Sequence, residues 1–134
     1  MINPSAELHV VNAVPKQLFM GGAWVDATSG ATFEVADPST GQVLCSVADA
    51  SPEDGMKALD AAVSAQSAFA AIPPRQRADM LMKAFALLHE RIDDLALLMT
   101  LEMGKPLAES RGEITYAAVA ESQGKMAREF QSIV

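Results

Sequence analysis

Cysteine, basic residues and long apolar runs are all scarce in this sequence. The single cysteine, Cys45, excludes an intramolecular disulfide and a multi-cysteine metal site. Lysine and arginine total 10 against 17 acidic residues, and the formal net charge of −7 disfavours nucleic acid, whose binding requires clustered positive charge. No apolar run is long enough to span a bilayer. We therefore expect a soluble, cytoplasmic protein without a nucleic acid or membrane partner.

Charge is low in total as well as unbalanced in sign. Charged residues make up 20% of the 134 residues and apolar residues 50%. This balance favours a chain with a packed core over wholesale disorder, and the length is typical of one globular domain. Residues 1–17 contain two prolines and no sustained hydrophobic period, so they are predicted to form an irregular arm.

Turn residues divide the first third of the chain into short strands. Gly21-Gly22 is typical of a tight hairpin turn, because glycine adopts positive φ freely. Asp37-Pro38-Ser39-Thr40-Gly41 combines the residue types of another turn, and Thr28-Ser29-Gly30 of a third. The pattern predicts a β meander with strands at residues 18–20, 23–25, 32–36 and 42–47.

The hydrophobic period changes from that of strands to that of helices at Ala48. Ser51 before Pro52 is typical of a helix N-cap, and Pro73-Pro74 ends that helix. Apolar residues recur at roughly helical spacing in this helix, at Met56, Leu59, Val63 and Ala70 with Phe69 adjoining them, and form a stripe in the next, at Ala78, Leu81, Met82, Phe85 and Leu88. Three more helices are predicted, at residues 75–91, from Asp93 as N-cap to about Met103 with Gly104 following, and from Pro106. The predicted fold class is α+β, with short antiparallel strands followed by about four helices.

The side chains that could perform catalysis are isolated from one another in the sequence. Cys45 lies in a strand pattern with no activating base or cation nearby and is interpreted as a small buried apolar residue. His9 lies in the arm, and His89 is interpreted as a favourable charge at a helix C-terminus. Asp93-Asp94 is interpreted as a helix start. We assign no catalytic and no metal residue.

The glycines and the helical methionines are the two residue types that could indicate a binding site. The glycines do not form the strand–turn–helix motif that cradles a dinucleotide phosphate, so no cofactor-binding residue is assigned. Four helical methionines are interpreted as core filling and not as a soft binding groove: Met80, Met82, Met99 and Met103. The number of apolar helix faces nevertheless predicts surface that requires another layer.

Three motifs occur in the order of one known family. Residues 19–25, Phe-Met-Gly-Gly-Ala-Trp-Val, are followed by residues 37–41, Asp-Pro-Ser-Thr-Gly, and by residues 100–109, Thr-Leu-Glu-Met-Gly-Lys-Pro-Leu-Ala-Glu. Together with Arg111-Gly112-Glu113-Ile114 and Tyr116-Ala117-Ala118, they resemble the N-terminal part of the α/β cofactor-binding domain of NAD(P)-dependent aldehyde dehydrogenases. The succinate-semialdehyde dehydrogenase branch is the most similar.

The resemblance covers residues 18–118, which correspond only to the beginning of a longer family protein. It implies oxidation of an aldehyde, with succinate semialdehyde as the expected substrate, to a carboxylate with NAD or NADP. The family's cysteine nucleophile, oxyanion hole and glutamate lie beyond the matched region, so no residue here inherits those roles. We expect this chain alone to be inactive and to bind no cofactor.

The sequence departs from the family pattern at several positions, and the resemblance implies one candidate cation site. Gly21, Asp37 and Met103 replace residues that are usual in the family, and residues 119–134 lack the family's aromatic-rich helix, so they are predicted to form a divergent tail. In some members a structural cation is held near positions comparable to Val35, Ala36 and Glu102. A structural role for Glu102 is preferred, because a single carboxylate is little evidence for such a site.

Two other interpretations stay open beside the truncated dehydrogenase. The first is a non-catalytic binding or scaffold module that docks through its helix faces onto the missing remainder of the enzyme or onto a homologous subunit. The second is a decayed gene product without a role. The sequence leaves undetermined the aldehyde, the choice between NAD and NADP, and the oligomeric state.

Overall fold

A computed structural model describes residues 4–118. The chain divides into two compact units, Met1–Ala71 and Ile72–Val134, where the length had predicted one domain. The boundary immediately precedes Pro73 and Pro74, which interrupt helical hydrogen bonding at this point. The predicted tail at residues 119–134 lies outside the described residues.

The first unit contains two hairpins, and the expected meander is wrong. β1 (Leu18–Met20) pairs with β2 (Ala23–Val25), and β3 (Thr32–Ala36) pairs with β4 (Val43–Ala48), both antiparallel, as two separate two-stranded sheets. The strands themselves agree with the prediction to within one residue. The connection between β2 and β3 does not join the two sheets, and its Thr28 N–H donates to the Asp54 side chain.

The turns are formed as the sequence predicted. Gly21 and Gly22 have φ of 58° and 85°, the positive values that a two-residue turn matching the strand twist requires. In the second hairpin Asp37 accepts hydrogen bonds from the Ser39 N–H at 2.8 Å, the Ser39 hydroxyl at 2.6 Å and the Thr40 hydroxyl at 2.9 Å. These bonds lower the pKa of Asp37.

The N-terminal arm is helical, which corrects the prediction for residues 1–17. α1 spans Pro4–Ala13, with Val10 and Val11 buried. Because its two buried side chains are adjacent and not spaced by three or four residues, the segment shows no helical period. Lys16 donates to the Val11 and Val14 carbonyls at the end of this helix, where carbonyls lack helical partners.

The second unit is helical as far as it is described. α3 (Pro74–Glu90) and α4 (Ile92–Met103) are followed by α5, which is helical from residue 107 to the last described residue, 118. With α2 (Pro52–Ala70), four described helices follow the strands, as predicted. Gly104 ends α4 with φ of 70°, also as predicted. Asp93 is not the N-cap; Arg91 holds that position, and Asp93 and Asp94 lie in the first turn.

The core of the second unit is formed mainly by α4. Ala96, Leu97 and Leu101 are buried, and the hydroxyls of Thr100 and the fully buried Ser110 lie 3.0 Å apart. The predicted stripe on α3 is only half-buried at Ala78, Leu81, Phe85 and Leu88. The interpretation of the methionines as core filling is wrong for Met80, Met82 and Met103, which are exposed, because the α4 core is filled by leucine and alanine.

Replacement of glycine by alanine is expected to have opposite effects on stability at Gly22, in the first hairpin turn, and at Gly55, in α2. Gly22→Ala should lower the free energy of unfolding by about 1–2 kcal/mol, because a Cβ at φ of 85° is strained although no atom lies within 4 Å of it. Gly55→Ala, in open space within α2, should raise it by about 1 kcal/mol. Denaturant unfolding followed by Trp24 fluorescence measures the stability of both variants. Equal changes in the two variants would contradict the positive φ of Gly22.

Candidate functional site

The densest cluster of polar side chains is at the start of α2. Asp54 is only 2% exposed and accepts hydrogen bonds from the Thr28 N–H at 3.0 Å, the Ser51 N–H at 2.9 Å and the Ser51 hydroxyl at 2.8 Å. The Thr28 hydroxyl also donates to it. Ser51 in turn accepts from the Asp54 N–H at 3.3 Å, which completes a reciprocal cap.

The electrostatics of this cluster favour a structural carboxylate. Hydrogen bonds from the Thr28 hydroxyl, then from the Ser51 backbone and hydroxyl, hold the pKa of Asp54 well below its usual range. Asp54 is therefore ionised at neutral pH, with its oxygens already occupied by donors. Such a group anchors the β2–β3 connection to α2 and is unsuited to accepting a proton in catalysis.

The same junction does not fit a dinucleotide. β4 leads into α2, and a strand followed by a helix is the place where a pyrophosphate would meet free helical amides. Here Ser51 caps the Asp54 amide, and the first turn carries the carboxylates of Glu53 and Asp54. Negative side chains at this position repel phosphate, so the described residues at this junction do not form a fitting phosphate site.

The side chains considered for catalysis from the sequence are half-buried or exposed. Cys45 is half-buried in β4, opposite Val35, where it had been interpreted as a small buried apolar residue. His9 is exposed on α1, and His89 is exposed in the last turn of α3, stacked on the Phe85 ring at 6.0 Å. Each of these residues lies on a different element.

The residues considered for a cation belong to β3 and α4. Val35 is half-buried and Ala36 exposed in β3, whereas the Glu102 side chain is exposed on α4. Lys105 pairs with Glu113, and Arg111 with Asp93, which connects the ends of the helices in the second unit. Within residues 4–118, no group of three or more His, Cys, Asp or Glu side chains is arranged to hold a metal ion.

The most unusual surface of the first unit is the outer face of α2, which carries large apolar side chains. The helix contacts β1 through small residues: Ala58 and Ala61 are half-buried, and a Cβ on Gly21 would lie 3.9 Å from the Ala61 Cβ. Its large apolar side chains are more than half exposed: Met56, Leu59, Val63 and Phe69. A shallow groove on this face is lined by Ala62, Val63, Ala65, Gln66 and Phe69.

Comparison with known protein families gives a match over most of this chain. A profile of the aldehyde dehydrogenase family matches residues 24–132. The chain belongs to the aldehyde dehydrogenase family. The match includes the motifs at residues 37–41 and 100–109 and the last two residues of the motif at 19–25, and it extends past Ala118. The predicted divergence of residues 119–134 stays a prediction.

Two curated relatives are named semialdehyde dehydrogenases. The glutarate-semialdehyde dehydrogenase of Pseudomonas aeruginosa is 46% identical over 77% of this chain. The succinate-semialdehyde dehydrogenase [NADP(+)] of Escherichia coli is 43% identical over 84% of it. This chain spans only 21% and 23% of the lengths of these relatives.

Solved structures show that the fold belongs to this family. An E. coli NADP-dependent enzyme is 42% identical with a TM-score of 0.80, covering 83% of this chain and 23% of its own. A Burkholderia pseudomallei succinate-semialdehyde dehydrogenase is 41% identical with a TM-score of 0.77, covering 88% and 23%. The expected α+β arrangement of an aldehyde dehydrogenase N-terminal segment is thereby confirmed. No helix among residues 4–118 is both long and apolar enough to cross a membrane.

Proposed function

We propose that this chain is the N-terminal segment of an NAD(P)-dependent dehydrogenase that oxidises a semialdehyde, with succinate semialdehyde as the first candidate, to a dicarboxylate. The match over residues 24–132 is the observation that carries this proposal, and the names of two relatives more than 40% identical support the substrate class. Both named substrates combine an aldehyde with a carboxylate. A cytoplasmic location is part of the proposal.

The role of the segment in this reaction is structural. The Ser51–Asp54–Thr28 cluster anchors the β2–β3 connection to the start of α2, and the described residues group no nucleophile with a general base. NAD or NADP would supply hydride acceptance in the complete enzyme. This chain contributes a framework of hairpins and helices on which the cofactor domain is built.

We predict that the 134-residue chain alone does not reduce either nicotinamide cofactor with succinate or glutarate semialdehyde. The physical reason is that no base or cation among residues 4–118 forms a hydrogen bond with the Cys45 thiol, and that the β4–α2 junction carries acids where a phosphate would bind. The absorbance of the reduced nicotinamide measures this, with the full-length E. coli relative as positive control. Semialdehyde-dependent reduction at a rate comparable to that of the control would overturn the prediction.

The proposed lineage is tested by exchange of segments. The whole 134-residue chain replaces the matching segment of the E. coli succinate-semialdehyde dehydrogenase, to which it is 43% identical. We expect this chimaera to be soluble and to oxidise succinate semialdehyde. A soluble but inactive chimaera would contradict the proposed function.

A second candidate function is that of a non-catalytic module that binds a homologous subunit. The exposed apolar face of α2 is the observation that favours it, because monomeric proteins rarely leave such surface uncovered. Mixing this chain with an intact family dehydrogenase and measuring size by chromatography separates the two functions. Co-elution supports the module, and separate elution contradicts it.

A further inference from the structure

Methionine is unusually frequent on the surface of this protein. It is one of the residue types most often found fully buried, because its side chain is apolar and adaptable. The sequence contains eight methionines, of which Met1 and Met126 lie outside the described residues. Two of the others, Met20 and Met99, are half-buried. The remaining four are 42% to 60% exposed, and we refer to them as the surface methionines: Met56, Met80, Met82 and Met103.

No two surface methionines share a face of one helix. Met80 and Met82 are two residues apart on α3, and side chains at this spacing do not face each other. Met56 lies on α2, outside the groove that contains Phe69, and Met103 is the last residue of α4. Binding surfaces that use methionine present several thioethers together. Each of these helix faces instead offers a single thioether to solvent, where the chemistry of the sulfur atom itself becomes available.

We propose that the surface methionines are sites of reversible oxidation, which consume peroxide before it oxidises the half-buried methionines. The thioether sulfur takes one oxygen atom from hydrogen peroxide to form a sulfoxide, and water is released. The sulfur loses two electrons, which reduce the peroxide O–O bond as it breaks. Methionine sulfoxide reductases catalyse the repair, in which a dithiol supplies two electrons and becomes a disulfide while the oxygen leaves as water.

Exposure makes this oxidation compatible with the folded state. A sulfoxide is polar, so it costs stability where the thioether is packed among apolar side chains. At Met103, which is 60% exposed, the added oxygen is hydrated by solvent. The next residue, Gly104, ends α4 through a bond from its N–H to the Thr100 carbonyl at 2.9 Å, and this bond involves no atom of the Met103 side chain.

Oxidation of the half-buried methionines has a different cost. Met99 lies on α4 three residues after the buried Ala96, in the helix that forms most of the core of the second unit. Side chains three residues apart are neighbours on a helix, so a sulfoxide at Met99 places a polar group next to this core. Met20 lies in β1, paired with Ala23. Oxidation at the surface methionines therefore protects positions at which a sulfoxide would destabilise the chain.

Peroxide titration of the 134-residue chain tests the order of oxidation. Every sample carries Cys45→Ser, so that the thiol consumes no peroxide, and fragment-ion mass spectrometry resolves each methionine. We expect the sulfoxide to form faster at the surface methionines than at Met20 and Met99, by about threefold or more, because oxidation follows exposure. Equal rates at the two groups would overturn the proposal.

A matched variant separates protection from simple reactivity. It replaces each surface methionine by leucine, an apolar side chain of similar size: Met56→Leu, Met80→Leu, Met82→Leu and Met103→Leu. Parent and variant receive the same limiting amount of peroxide, one equivalent per surface methionine. We expect the variant to contain about twofold or more sulfoxide at Met20 and Met99, since Met1 and Met126 compete equally in both proteins. Equal sulfoxide in the two proteins would show that the surface methionines protect nothing.

Stability and repair are measured on the parent oxidised only at the surface methionines. We expect it to unfold at the same denaturant concentration as the reduced chain, by Trp24 fluorescence for the first unit and by helical circular dichroism for the second. Methionine sulfoxide reductases with a dithiol should restore the mass of the reduced chain. Unfolding at a lower denaturant concentration, or sulfoxide that the reductases do not remove, would overturn the proposal.

Discussion

Asp54→Ala is expected to lower the free energy of unfolding of the first unit by several times the loss caused by Ser51→Ala. Ser51→Ala removes one cap and should cost about 1 kcal/mol. Asp54→Ala removes the acceptor shared by the Thr28 and Ser51 amides and both hydroxyls, and it leaves two backbone donors without that partner. It also releases the β2–β3 connection from α2.

Trp24 makes this prediction measurable in the first unit. It is the only tryptophan of the sequence and packs against Phe19 with ring centroids 5.0 Å apart, so its fluorescence follows the unfolding of this unit. Denaturant titrations of the wild type, Ser51→Ala and Asp54→Ala would be compared. If the two variants unfold at the same denaturant concentration, the bonds from Thr28 to Asp54 contribute nothing to stability. The cluster of Ser51, Asp54 and Thr28 then does not anchor the β2–β3 connection.

The same cluster predicts a dependence of stability on pH. Because hydrogen bonds hold the pKa of Asp54 below its unfolded value of about 4, its contribution is fully present above that pH and is lost as the pH falls towards the folded pKa. Asp37, whose pKa is also lowered, adds a second contribution of the same sign. In Asp54→Asn the acid-induced loss of stability should therefore be smaller than in the wild type, but not absent. An unchanged pH profile would contradict the lowered pKa.

Leu101→Ala is expected to lower the free energy of unfolding of the second unit by about 2–5 kcal/mol. Leu101 is 6% exposed on α4, one turn after the buried Leu97, so the truncation creates a cavity in a core with few other large side chains. Met103→Ala on the same helix is the matched control. Met103 is 60% exposed, and its truncation should change stability by about 0.5 kcal/mol or less.

Helical circular dichroism measures this pair, because the second unit has no tryptophan. A loss for Leu101→Ala similar to that for Met103→Ala would show that α4 is not the core element of this unit. The control also tests whether the exposed methionines contribute to the stability of the isolated chain. Their exposure predicts that they do not.

Local chemistry determined the parts of this protein that the sequence predicted correctly. The Gly21-Gly22 turn, the Asp37 turn, the Ser51 cap and the Gly104 C-cap each depend on bonds or on φ values within a few residues. Such features are available in a short window of sequence, because the donors, acceptors and steric limits belong to neighbouring residues. The family motifs were equally local and identified the lineage.

The bond between Thr28 and Asp54 joins residues 26 apart, and no pattern in the sequence indicated it. That bond, and the pairing of strands as two sheets, depend on which segments meet in space. The periodicity of α2 located an apolar stripe at Met56, Leu59 and Val63, but the packed face is the one with Ala58 and Ala61. Period alone cannot distinguish two apolar faces of one helix, because burial is set by the element that packs against it. Only the tertiary structure decided that the small side chains are packed and the large ones are exposed.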